Sequence, residues 1–75
     1  MRSVLYQRFF LDSSEDCEYF ETIEEASKYV SEIVGHEVEA SVGAVSKALD
    51  DYVEEHEEEE PDLFYSFHEF TVLEP

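Results

Sequence analysis

The chain has 75 residues, of which 21 are Asp or Glu and only four are Lys or Arg, giving a formal net charge of −17. That balance excludes binding to nucleic acid through phosphate neutralisation, which needs clustered Lys and Arg, and it repels anionic membrane surfaces. No apolar run exceeds three residues, too short for a membrane span or the core of a signal peptide.

The length suits a single acidic domain, residues 1–75, with a marginal core, because a domain of this size buries only about 60% of the surface its unfolded chain exposes. Yet 43% of the residues are hydrophobic, with five Tyr and six Phe. A solvated acidic tail would lack those aromatics, so a folded module is expected. Cys17 has no second cysteine to pair with, which makes a reducing cytoplasm the expected compartment. Two Gly and two Pro leave little room for linkers, and no internal repeat is visible.

In chain order, residues 3–11 mix β-branched and aromatic types in a strand-length run. Asp12, Ser13, Ser14, Glu15 and Asp16 are turn residues, whose short polar side chains bond their own backbone. Residues 17–21 then read as a short return strand, completing a hairpin. Thr22 with Glu25 fits a capping box, and Ile23, Ala26, Val30, Ile33 and Val34 follow at the spacing of one helical face, stopped by Gly35. After a connector over residues 36–40, Ser41 caps a second helix with Val42, Val45, Leu49, Tyr52 and Val53 on its apolar face. That pattern fades near His56, and Pro61 closes the segment. Residues 63–73 form a final aromatic, β-branched strand. The expected order is ββααβ, an α+β fold in which a small antiparallel sheet packs against two helices.

The acids concentrate at the end of the second helix: Asp50, Asp51, Glu54, Glu55, Glu57, Glu58, Glu59 and Glu60 fill eight of the eleven positions 50–60. If helical throughout, that segment is roughly 16 Å long, with one negative charge per roughly 2 Å. Duplex DNA carries one per about 1.7 Å of axis. Local stability does not explain the placement. Acids at a helix C-terminus oppose the macrodipole, and like charges four apart, such as Asp50 with Glu54 and Glu54 with Glu58, repel. Asp12, Glu15, Asp16 and Glu18 form a second cluster around the hairpin turn, and Glu37 and Glu39 in the connector are placed to join either surface. The plainer reading is a solvated face, since Glu is soluble and a good helix former. It accounts less well for an imbalance that runs through the whole chain.

Catalytic and metal patterns fail on spacing. His36-Glu37 and His68-Glu69 lack the second His of a zinc-protease helix, because Ala40 and Val72 stand four positions on. The stretch from Asp12 departs from a calcium loop, with Cys17 at the sharp-turn Gly and Ile23 at the closing Glu. Cys17 between Asp16 and Glu18 is a poor thiolate and reads as a small residue in a half-buried strand. There is no Gly-rich phosphate loop. No catalytic residue, metal site or cofactor is therefore expected. Tyr6, Phe9, Phe10, Tyr19, Phe20, Phe64, Phe67 and Phe70 read first as the core. Any that face away from the helices would form an outer aromatic face for self-association or a partner's apolar patch.

Small size, extreme negative charge and the mix of acids with aromatics along the whole chain resemble the small acidic inhibitors of phages and mobile elements, including anti-restriction and anti-CRISPR proteins. The resemblance implies a nucleic-acid mimic whose carboxylates take the phosphate positions in the DNA or RNA groove of a basic host enzyme, in the host cytoplasm. No residue-level motif underlies it. Two other readings stand beside it: an acidic adaptor or chaperone that holds a basic protein through an aromatic or apolar face, and a halophilic housekeeping domain. A homodimer through the helices or the exposed sheet face is compatible with each.

Overall fold

Side-chain alternation along the first strand sets the architecture. In the computed structural model, which describes residues 3–74, the elements are β1 (Val4–Ser13), β2 (Cys17–Phe20), α1 (Ile23–Val34), α2 (Val42–His56) and β3 (Tyr65–Glu74). The fold is α+β, with the expected order ββααβ. The sheet is antiparallel with strand order β2-β1-β3. Phe9 and Leu11 point to the face that carries the helices and are buried together with Phe20, Ala26, Val30, Val38, Val45 and Leu49. Residues directly opposite share a face, so Phe67 opposite Leu11 and Tyr65 opposite Ser13 lie on the same side. Phe9 and Phe67 stack with ring centroids 5.9 Å apart.

Local signals set the helix boundaries. Thr22 Oγ1 accepts the Glu25 backbone N–H at 3.2 Å, as the capping box requires. The Glu25 carboxylate reaches one residue further back than expected and accepts the Glu21 N–H at 3.2 Å. Gly35 closes α1 at φ 79°, a left-handed conformation that costs a residue without a Cβ nothing, and its N–H donates to the Ser31 carbonyl. Ser31 also shapes the connector. Its hydroxyl donates to the Ser27 carbonyl at 2.7 Å and accepts the Val38 N–H at 3.0 Å, which seats Val38 in the core. Ser41 Oγ caps α2 by accepting the Ala44 N–H at 3.1 Å.

Several boundaries and burials differ from expectation. β1 runs two residues further, so Asp12 and Ser13 are paired strand residues opposite Ser66 and Tyr65 rather than turn residues. β2 stops at Phe20, and β3 starts at Tyr65 rather than at residue 63. The larger correction concerns the aromatics. Phe9 and Phe20 are buried and Phe67 packs on the core, but Tyr6, Tyr19 and Phe64 are exposed. Phe10, Tyr19 and Phe70 project to the outer face, where Phe10 meets Tyr19 at 4.8 Å and Tyr19 meets Phe70 edge-on at 6.2 Å. The two helices cover only the other face, so these rings form an outer aromatic face. Cys17 is likewise exposed instead of half-buried.

The molecule is long for its size. Its extents are 53 × 23 × 16 Å and its radius of gyration is 13.9 Å, against about 11 Å for a compact chain of this length. The cause is the β1–β3 ladder. β2 pairs only with residues 9–12 of β1, whereas β3 pairs with all ten β1 residues from Val4 to Ser13. Residues 4–8 and 70–74 therefore project as a two-stranded ribbon about 17 Å long.

Leu49→Ala removes a fully buried side chain and should cost about 2–5 kcal/mol, a large share of the roughly 4–11 kcal/mol available to a domain of this length. Thr22→Ala should cost about 1 kcal/mol. Urea titration followed by circular dichroism checks both, and an unchanged midpoint for Leu49→Ala would contradict the core described.

Candidate partner-binding surface

The α2 helix carries its acids and its apolar residues on opposite sides. At about 100° per residue, Asp50, Asp51, Glu54 and Glu55 span an arc of roughly 140° facing away from Val45, Leu49 and Tyr52. All four are exposed. Lys47 sits one turn earlier on the same arc, and no Lys or Arg follows it anywhere in the chain. Beneath this surface, Tyr52 meets His56 in a tilted contact at 4.2 Å and Tyr65 edge-on at 6.0 Å. His56 Nδ1 donates to the Tyr52 carbonyl at 2.8 Å, a contact one turn back that holds the imidazole against the helix.

The helix does not continue through the Glu run. It ends at His56, and Glu57, Glu58 and Glu59 lie in a turn. The condition of a helix throughout residues 50–60 is therefore not met: a helical stripe of four acids leads into a turn over Glu57, Glu58 and Glu59, with Glu60 directly after it. Repulsion among consecutive Glu at the negative end of the macrodipole disfavours further helix, and Pro61 prevents the residue before it from staying helical. Backbone hydrogen bonds still order this segment. The Glu60 N–H donates to the His56 carbonyl at 2.8 Å and the Leu63 N–H to the Glu60 carbonyl at 3.0 Å. Glu57, Glu58, Glu59 and Glu60 are all exposed.

The second acidic cluster divides. The hairpin turn is built as its sequence suggests, with the Ser13 N–H donating to the Asp16 carbonyl at 3.0 Å and the Cys17 N–H to Asp16 Oδ1 at 2.8 Å. The Ser14 N–H donates to the Phe64 carbonyl at 3.2 Å and ties this turn to the segment that leads into β3. Glu15 consequently shares a concavity of about 400 Å³ with Glu59, Glu60 and Asp62. Asp16 and Glu18 lie instead toward Tyr29 on α1, and Asp12 sits half-buried on the outer sheet face opposite Cys17. Glu37 and Glu39 border Lys47 and Asp51 and so belong to the α2 side.

Two residues missed from the sequence belong to this surface. Asp62 lies beyond Pro61 and so outside the obvious run, although its charge alone was a sufficient signal. Phe64 is exposed and lines a groove with Asp50, Glu54 and Glu57. A carboxylate-lined groove with an aromatic wall suits a guanidinium, which pairs with the acids and stacks on the ring.

The field of these acids registers on two tyrosines. Tyr65 has its pKa raised above the usual 10.0, chiefly by burial, then by Tyr52, Glu15 and other neighbours including Glu60. Tyr29 is raised by burial first and then by Glu18 and Asp16. Among the described residues no three His, Cys, Asp or Glu side chains are placed to hold a metal ion, and no helix is long and apolar enough to cross a membrane. No family model, curated protein or solved structure matches the chain.

A phenol with a raised folded-state pKa stabilises the fold in full below its unfolded value and loses that contribution as pH rises through the folded value. Stability should therefore fall from about pH 10 upward. In urea titrations across that range, Tyr65→Phe should flatten the fall, whereas an identical slope in the variant would contradict the partial burial of Tyr65 against Tyr52 and near Glu15.

Proposed function

We propose that the protein is a nucleic-acid mimic, a stoichiometric inhibitor that occupies the DNA- or RNA-binding groove of a host enzyme such as a CRISPR or restriction effector. One observation carries this reading: Asp50, Asp51, Glu54 and Glu55 on a helix and Glu57, Glu58, Glu59 and Glu60 on a hydrogen-bonded turn form one exposed acidic surface, joined by Glu15 and Asp62. An ordered scaffold holds the carboxylates before binding, so little conformational freedom is lost on docking. The net charge of −17 draws a Lys- or Arg-lined groove from a distance and speeds the encounter. The enzyme supplies the cations and the mimic supplies the phosphate-like charge, with no turnover and no cofactor. The host cytoplasm is where such a target works.

The acidic adaptor remains a second reading because Phe10, Tyr19 and Phe70 pack into an outer aromatic face, with Tyr19 69% exposed. There affinity would come from apolar contact, with charge only steering. A halophilic housekeeping domain would lose its fold at low salt.

The quadruple variant Glu54→Gln, Glu55→Gln, Glu57→Gln and Glu58→Gln separates the first two readings. Mimicry predicts roughly a hundredfold or greater loss of affinity for the target, with a flatter salt dependence. Retained nanomolar binding together with loss on Tyr19→Ala would favour the adaptor. A cooperative melt at about 50 mM salt, where surface charges are weakly screened, is expected on either reading and would exclude the halophilic one.

A further inference from the structure

We propose that the outer edge of β3 pairs with the same edge of a second copy, antiparallel about a two-fold axis at Phe70, giving a dimer with one continuous sheet and an acidic end at each extreme. The inference does not rest on nucleic-acid mimicry.

β3 is an edge strand ten residues long, and no described strand pairs with its outer side. Its register with β1 is unbroken from Val4↔Glu74 to Ser13↔Tyr65, so no bulge twists the edge away. The strand contains neither Lys nor Pro. Those are three of the devices by which a solvent-exposed edge avoids pairing, and of charged side chains β3 carries only Glu69 and Glu74. The ribbon also leaves apolar side chains uncovered on the helix-bearing face, with Leu5 67% and Leu73 61% exposed, and an isolated two-stranded ribbon is only marginally stable in water.

Charge identifies the occupant. Residues 3–11 contain no acid and one Arg, and the ten residues of β3 contain two acids, Glu69 and the terminal Glu74, in a chain with 21. The ribbon is thus the part of the surface that another highly negative molecule can approach most easily. A basic partner would be drawn instead to the acidic end. With the two-fold at Phe70, nine residues of each strand pair. Glu69 then faces the partner's Thr71, Glu74 faces the partner's Ser66, and Phe67 faces the partner's Leu73. No acid opposes an acid. Moving the axis to Glu69 sets that residue against the partner's Glu69, a like-charge pair that destabilises a sheet. Moving it to Thr71 shortens the pairing to seven residues and puts Leu73 against the partner's Glu69. The antiparallel arrangement also sends the two acidic ends in opposite directions, separated by roughly 30 Å of paired strand, well beyond the Debye length of about 8 Å at physiological salt.

Sedimentation equilibrium on the full chain, across a concentration series, tests the proposal. The expected mass is twice 8.8 kDa. Thr71 is exposed, so both of its charge variants should keep the native circular dichroism spectrum. Thr71→Glu places a carboxylate against the partner's Glu69 and should weaken the dimer at least about tenfold, whereas Thr71→Lys should tighten it. In a Cys17→Ser background, Phe70→Cys should oxidise to a covalent dimer. A monomer at every concentration would overturn the proposal, as would a dimer that Thr71→Glu leaves unchanged. A monomer whose binding to a captured enzyme is lost on Thr71→Glu would also overturn it, by assigning the edge to that target.

Discussion

Repulsion among 21 carboxylates, opposed by four Lys or Arg, is the constraint to which the rest of the structure answers. A marginal domain survives that repulsion only if its acids are kept out of the core and spread over surface that water and counterions can screen. Among the described residues the buried ones are accordingly apolar apart from Ser27, whose hydroxyl donates to the Glu24 carbonyl. Most of the acids lie on the outer side of α2, in the turn after it and around the β1–β2 hairpin, while the β1–β3 ladder carries three, Asp12, Glu69 and Glu74. Charge is segregated along a molecule 53 Å long.

That segregation depends on a few local bonds. Caps at Thr22 and Ser41 set the starts of both helices, and Gly35 with Ser31 turns the chain so that Val38 enters the core and α2 lies beside β3. The Ser14 to Phe64 hydrogen bond then brings the hairpin turn to the base of β3. Together with the pairing of Ser13 opposite Tyr65, it sets Glu15 in the concavity shared with Glu59 and Glu60. Tyr52, His56 and Tyr65 form an aromatic layer beneath the acidic surface, so the carboxylates stand on a packed support even where the backbone leaves the helix.

Short-range chemistry made most of the fold legible in the sequence. The capping box at Thr22, the apolar spacing of α1 and α2, the glycine stop and the Ser13 to Asp16 turn each depend on neighbours within a few residues. Burial of individual aromatics was not legible, because it depends on which sheet face the helices cover. Phe9 and Phe10 are adjacent and of one type, yet one is core and the other faces outward. The end of α2 was legible in its apolar spacing, which fades near His56, but not in the Glu run that follows. Glu favours helix by intrinsic propensity, and mutual repulsion with Pro61 ahead outweighs that preference. The acids of the candidate surface were visible as residues. Their grouping was not, since Glu15 joins Glu59 through a tertiary hydrogen bond while Asp16 and Glu18, its near neighbours in sequence, lie toward Tyr29.

Nucleic-acid mimicry, as proposed, requires that an ordered arrangement of carboxylates, beyond net charge, selects a nucleic-acid enzyme. The most direct test is capture from host lysate by the native protein, beside a control whose surface acids are rearranged at constant charge and constant core, followed by challenge with duplex DNA. The account predicts that one nucleic-acid enzyme binds the native protein alone and is displaced by DNA. Equal recovery of the same basic proteins by both baits would contradict it.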